Sequence, residues 1–297
     1  MRVTSDTLSR NILPQLNQLQ ARRQQLQSTI ASGVKLSNAS DAPADAAQVA
    51  RMSTAQQAAV NYRRNADMAT TQIKTSDQQL ALLGKFHDQT NGLLEGYNQD
   101  PSAEQQAATV ETLNELIEQT VTVLNDKLND QPLFGADGTS TTPFAIARDA
   151  DGNITSFTYE GGTGDWKLPA SASTQISAAT NGATNASLAD WANQLIALRD
   201  AVATGERTAV DTASNNFDLA EDNLMLAQVE LGGKLARAEA VRSSESEMFN
   251  LRQDGINQRT QANVTEAIVQ FQQVNQAYQA SLQAASLTMN MSLLDFI

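Results

Sequence analysis

Residues 259–297 read RTQANVTEAIVQFQQVNQAYQASLQAASLTMNMSLLDFI, and this stretch decides the fold. Its charged side chains are Arg259, Glu266 and Asp295; Gln, Asn, Ser and Ala fill most of the other polar or small positions. Val264, Ala267, Phe271, Val274 and Tyr278 recur at 3-4 spacing, with Ile268, Leu282 and Met289 beside them, which predicts one long helix. Such a helix has no strongly solvated face, so it needs other helices on several sides.

The opposite end has the same style. Ile12, Leu16, Leu19, Leu26 and Ile30 are spaced as a helix-packing seam, and Ser32-Gly33 ends it, because glycine takes the left-handed conformation a helix C-terminus favours. Pro14 is expected in the first turns of this helix rather than its interior. In SDAP, residues 40–43, Ser40 or Asp41 can cap a second helix and Pro43 fits its first turn. From Met52 to Tyr97 a 3-4 alternation runs through Ala55, Ala59, Tyr62, Ala66, Ala69, Ile73, Ser76, Leu80, Leu83, His87, Thr90 and Leu94. Asp100-Pro101 ends it, and another helix is expected through Val110, Leu113, Ile117, Leu124 and Leu128.

Residues 131–186 change character, with Gly, Thr, Ser and Asp in place of helical periodicity. Phe144–Ala147 and Ile154–Tyr159 read as hairpin strands around Asp151-Gly152-Asn153, with short strands expected near 166–168 and 175–176. Helical spacing returns at Leu188, Trp191, Leu195, Leu198 and Val202, then at Val210, Ala213, Phe217, Ala220, Leu224, Ala227 and Leu231. Gly232-Gly233 interrupts this helix as a kink or as a close crossing, and Asp254-Gly255 is expected to precede the last helix. The fold class is mainly α with a small β insertion, a long antiparallel coiled coil or helical bundle built from both termini. The expected division is terminal helices at 1–40 and 258–297, a helical bundle at 41–130 and 187–257, and a β-rich outer domain at 131–186.

Composition excludes several functions. The chain has 20 Lys and Arg against 33 Asp and Glu, a net charge of −13, and no basic cluster, so nucleic acid is not an expected partner. With no cysteine there are no disulfides, thiolate metal sites or cysteine nucleophiles. No apolar run reaches the length of a membrane span, so no membrane partner is expected, and MRVTSDTLSRNILPQ does not read as a Sec signal peptide. His87, the sole histidine, sits at a seam position and reads as a core residue. Asp149 to Glu160 has the acidic spacing of a calcium loop, but Ile154 stands where the sharp turn needs glycine, so a hairpin turn is the better account. No catalytic residue, cofactor or metal site is expected.

Several stretches resemble the flagellin-like axial proteins of the bacterial flagellum: MRVT, SGVKLSNASDAPADAAQVARM, YRRNADMA, PLFGADGTSTTPF, VELGGKLARAEA and the closing FQQVNQAYQASLQAASLTMNMSLLDFI. Ala42 stands where that family usually has a second Asp, and Ile297 where Leu is common. The resemblance implies a secreted structural subunit exported by the flagellar type III apparatus and placed where hook meets filament. It implies as partners flagellin, the hook-side junction protein, sister copies in a helical array and an export chaperone. Assembly residues are then expected at Ile12, Leu16, Leu19, Leu26 and Ile30, and at Val264, Ile268, Phe271, Val274 and Tyr278. Leu282, Met289, Leu293, Leu294 and Phe296 extend the second face. A filament subunit has the same layout, but flagellins typically read Leu-Ser-Ser-Gly and Asp-Asp-Ala-Ala-Gly at the first connection and end in Leu-Leu-Arg. An enzyme on a helical scaffold would need a pocket, and a generic coiled-coil adaptor leaves the terminal motifs unexplained.

Overall fold

A computed structural model describes residues 5–36, 38–40, 42–97, 101–138 and 141–294, without the side chains of 5–12 and 287–294. The chain forms α1 (Ser5–Ser32), α2 (Pro43–Tyr97), α3 (Ala103–Leu124), β1 (Lys127–Leu128), β2 (Gln131–Pro132), β3 (Phe144–Arg148) and β4 (Ile154–Tyr159). It continues with β5 (Lys167–Pro169), β6 (Gln175–Ser177), α4 (Gly182–Thr204), α5 (Arg207–Thr260) and α6 (Val264–Leu294). The strands pair as three antiparallel two-stranded ribbons, β1-β2, β3-β4 and β5-β6. Two compact units result, one of residues 1–57 and 249–297, the other of 58–248.

The larger unit holds the core. Apolar residues three and four apart lie on one face of a helix, and the buried residues of α2 are that face: Ala66, Ala69, Ile73, Leu80, Leu83 and Leu94. Leu113 and Ile117 from α3, Leu188, Trp191 and Leu195 from α4, and Phe217, Leu224 and Leu231 from α5 complete a continuous cluster. Phe144, Ile154 and Phe157 close the same cluster from the β3-β4 hairpin; the two buried residues of β4 stand three apart, so burial there does not follow the strand's two-residue alternation. The ribbons, too small to stand alone, thus share the helices' core. Asn193 ties β4 to α4, accepting from Phe157 N–H at 2.8 Å and donating to its carbonyl at 3.0 Å.

Element ends follow local chemistry. Ser102 and Gln105 form a reciprocal capping box on α3, Asn181 caps α4 by accepting from Thr184 N–H at 2.9 Å, and Gly205 closes α4 at φ +70°. Gly33, at φ +69°, follows α1 as expected.

Four expectations are corrected. Pro14 lies inside α1, nine residues after its start, where an exposed helix face lets water satisfy the carbonyl the ring leaves free. The third helix stops at Leu124 and Leu128 belongs to β1, because Asn129 and Asp130 adopt positive φ (51° and 64°) and turn the chain back into β2. The break expected at Asp254-Gly255 falls instead at 261–263. Gly255 stays helical because Met52 packs against it: an added Cβ would meet Met52 Sδ at 3.1 Å. At Gly232-Gly233, read as a kink or a close crossing, α5 runs unbroken and a Cβ added at either glycine would meet nothing within 4 Å, so no crossing is found among the described residues. Asp41 falls outside the described residues.

Two ion pairs tie the ribbons to the helices within this unit. Arg148 on β3 pairs with Glu118 on α3, and Lys234 on α5 donates to Asp165 Oδ1 at 2.8 Å and to the Ala179 carbonyl at 2.7 Å. The Lys234 hydrogen bond holds the Asp165 carboxyl below its ordinary value of 3.8, against the opposing effect of burial. Arg148 likewise lowers Glu118 from its ordinary 4.5. A carboxyl lowered by folding contributes stability that is present above its unfolded pKa and lost as pH falls through the folded one. The urea midpoint should therefore be unaffected by these two groups between about pH 6 and 8 and fall below about pH 4. Asp165→Asn should flatten the decline, and an unchanged acid limb in Asp165→Asn with Glu118→Gln would contradict the assignment.

Candidate assembly surface

The smaller unit is built from the two ends of the chain. α1 and α6 pack antiparallel, and their register is fixed at the point where each begins or ends. Lys35 N–H donates to the Thr260 carbonyl and Ala262 N–H to the Gly33 carbonyl, both at 2.8 Å, with Val34 bridged to Gln261. Lys35 Nζ donates to the Gln258 carbonyl at 3.0 Å. Farther along, the Arg23 guanidinium lies 4.7 Å from the centre of the Tyr278 ring, a cation–π contact. Arg259 bonds Gln48 at 3.1 Å, joining α5 to α2 within this unit.

This pair buries little. Among the described side chains, Leu26 is the only buried residue of α1 and Ala267 the only one of α6, at 5% and 7% exposure. The 23-residue α4 buries eleven. Leu16, Leu19 and Ile30 on α1 and Phe271, Val274 and Tyr278 on α6 are half-buried along the mutual seam. Val264, Ile268, Val269 and Leu282 are exposed on α6, as is Leu13 on α1. Of the fifteen residues expected at assembly contacts, the seam therefore takes seven and leaves Val264, Ile268 and Leu282 facing outward. Ile12, Met289, Leu293 and Leu294 lie in the helices without described side chains, and Phe296 lies outside the described residues. Leu13 and Val269 were not anticipated, although each directly adjoins an anticipated position.

Charge divides between the units. The smaller has eight Lys and Arg against six Asp and Glu, the larger twelve against 27. Within 13–32 and 264–286 the charged side chains are Arg22, Arg23 and Glu266 alone. Exposed apolar side chains with so few charges beside them form a surface that water solvates poorly.

The other places weighed for chemistry are structural. His87 is buried at 2% exposure and stacked on Phe217 with ring centroids 4.5 Å apart; Phe217 in turn packs on Trp191 at 5.4 Å. Its Nε2 lies 3.3 Å from Asp218, 3.6 Å from Glu221 and 3.1 Å from Asn91 Nδ2. The Asp149 to Glu160 segment is the β3-β4 turn: Asp149 accepts from the N–H groups of Asp151 at 3.0 Å and Asn153 at 2.8 Å, and Gly152 takes φ +90°. Desolvation opposes ionisation of Asp149, but the bonds from Asn153, Asp151 and Gly152 outweigh it and hold the carboxyl below the usual range. No group of three or more His, Asp or Glu among the described residues could hold a metal ion. No helix among them is long and apolar enough to cross a membrane.

An antiparallel pair made from the chain termini, with a helical bundle that carries β-ribbons between them, defines a flagellin-like fold. The solved structures bear this out. The fold is similar to that of a Vibrio parahaemolyticus protein described as flagellar hook-associated (TM-score 0.63, 16% identity, 74% of this chain and 100% of that one). It is also similar to Bacillus cereus FlgL (TM-score 0.50, 18% identity, 72% of this chain and 100% of that one). No protein-family profile and no curated protein matches the chain.

Proposed function

We propose that this chain is a structural subunit of the bacterial flagellum, the one that joins hook to filament, and that it assembles through its terminal helices. One observation carries the reading: two helices of 28 and 31 residues bury a single described side chain each and leave uncharged apolar residues outward. A helix pair this poorly buried gains little from packing, and most helical stability comes from packing rather than propensity. The terminal segments 1–40 and 258–297 order fully when sister copies cover Val264, Ile268, Val269 and Leu282. Contacts of this head-to-tail kind do not close on themselves and generate a helical array, the geometry an axial structure needs.

The fold likeness to a flagellar hook-associated protein and to FlgL supports the flagellar role. The junction position rests on the closing SLLDFI and on Pro43, where a filament subunit would read differently. Flagellin on one side and the hook-side junction protein on the other are the partners this position supplies. Export through the flagellar apparatus, with a chaperone shielding the terminal helices, follows from the same reading, and the segment 131–186 faces outward in it.

Antibody labelling of intact flagella tests the position. The chain should mark one narrow band at the hook–filament boundary. Decoration along the whole filament would make it a filament subunit instead, and no decoration of the flagellum would remove the reading altogether.

A further inference from the structure

Helix α5 carries a second stripe, with Leu219, Leu226 and Val229 on it, that is left exposed among the described residues. Its buried face is Val210, Ala213, Phe217, Ala220, Leu224, Ala227, Leu231 and Ala238. On the opposite side Asn215, Leu219, Asp222, Leu226, Val229, Gly233, Ala236 and Ala240 are all exposed, and their spacing alternates 4 and 3 without a break. Leu219, Leu226 and Val229 are 70%, 65% and 73% exposed, so these are whole side chains in water. A 3-4 stripe is the seam of a helix pair. At 1.5 Å per residue this one runs for roughly 38 Å.

We propose that the outer face of α5 pairs antiparallel with the same face of a second copy of this chain. The order of residues along the stripe selects that occupant. Large and acidic positions (Leu219, Asp222, Leu226) occupy its first half, small ones (Gly233, Ala236, Ala240) its second. An antiparallel pair centred between Ala227 and Gln228 sets Leu226 against Val229 of the second copy, Asp222 against Gly233 and Leu219 against Ala236. Asp222 and Leu219 thus each meet a small residue, while Leu226 and Val229 pack on each other at the centre. A Cβ added at Gly233 would meet nothing within 4 Å, so the notch opposite Asp222 is open. Arg237, exposed on the flank next to Ala236, lies one turn from that notch and supplies the counter-charge for Asp222.

The two-fold pair is isologous and forms both sets of contacts at once. A parallel pair is disfavoured by the same residues, since it sets Asp222 against Asp222 and leaves a gap between two copies of Gly233. The larger unit's excess of acidic residues opposes any pairing of two such units. At about 0.15 M salt that repulsion is screened beyond ~8 Å. One helix pair is at the small end of stable interfaces, so a weak dimer follows. A polar axial array has no two-fold axis of this kind, so on the assembly reading above this dimer belongs to the unassembled chain and competes with polymerisation.

Because the chain has no cysteine, site-specific oxidation reads the register directly. Full-length Asp222→Cys and Gly233→Cys chains are mixed and mildly oxidised at about 0.5 mM, high enough to populate a Kd on the order of 100 µM. The mixed disulfide dimer should exceed either self-linked dimer at least tenfold. Sedimentation of the wild-type chain should show a dimer that Leu226→Glu removes and that Ile268→Asp with Val269→Asp leaves intact. A chain monomeric at that concentration, a dimer surviving Leu226→Glu, or self-linking of Asp222→Cys above the mixed product would each overturn the proposal. A dimer lost only in the α6 variant would do so while supporting assembly through the terminal helices.

Discussion

Phe217→Ala should cost about 3–5 kcal/mol of unfolding free energy, read as a lower urea midpoint with little change in slope. The ring is fully buried, and it is the one group that joins two others: His87 stacks on it at 4.5 Å and Trp191 packs on it at 5.4 Å. Its loss leaves a cavity between α2, α4 and α5 that rigid helices cannot collapse into. Two buried atoms nearby, His87 Nδ1 and Trp191 Nε1, have no partner among the described residues. Ring packing therefore holds Trp191 without a hydrogen bond from its Nε1, while His87 keeps polar contacts through Nε2 alone. Phe217→Leu, which keeps most of the volume, should recover more than half of the loss. A cost of the alanine change below about 1 kcal/mol would mean that this aromatic trio is not the core's centre.

The second large effect is on assembly rather than on folding. Ile268→Asp with Val269→Asp should leave the monomer's helical content unchanged, since both side chains are already 41% and 49% exposed. In an assembled structure the two carboxylates would be buried without partners, each costing about 3 kcal/mol or roughly 100-fold in affinity. Cells carrying the double variant should therefore lack joined filaments. Normal flagella would show that this face of α6 never meets a neighbour.

The helices were legible in the sequence because burial on one side writes itself as a 3-4 repeat. The seam from Ala66 to Tyr97 on α2 and the seams of α4 and α5 are buried where the spacing placed them, while Met52, Ala55 and Tyr62 at the start of the α2 seam are only half-buried. The β3-β4 hairpin was legible from the turn Asp151-Gly152-Asn153 between two strand-like runs. What spacing does not encode is what lies beside a glycine. Gly255 reads as a break but is a packing position against Met52, and Gly232-Gly233 reads as a kink or a crossing but lies within a continuous helix and faces open space.

The loop around Asp137 was missed for a related reason. Its glycines read only as a change of character, yet an added Cβ at Gly162 would stand 2.2 Å from Asp137 Oδ1, and Gly164 N–H donates to that same oxygen at 2.8 Å. For the assembly surface, composition showed that α6 lacks a hydrated face. It did not show which apolar residues α1 takes, because Ile268 and Phe271 differ only in their rotation about the helix axis, and that rotation is set by the partner. The outer stripe of α5 was not read from the periodicity, because only the buried face of the same helix identifies it as surplus.

Amide hydrogen exchange, followed in the monomeric chain and again after its incorporation into flagella, tests the central claim most directly. The terminal helices should exchange fast in the monomer compared with Leu188–Val202 of α4, and should gain protection of at least about 100-fold over 264–286 once assembled. Terminal helices as protected in the monomer as α4, with no further gain on assembly, would contradict it.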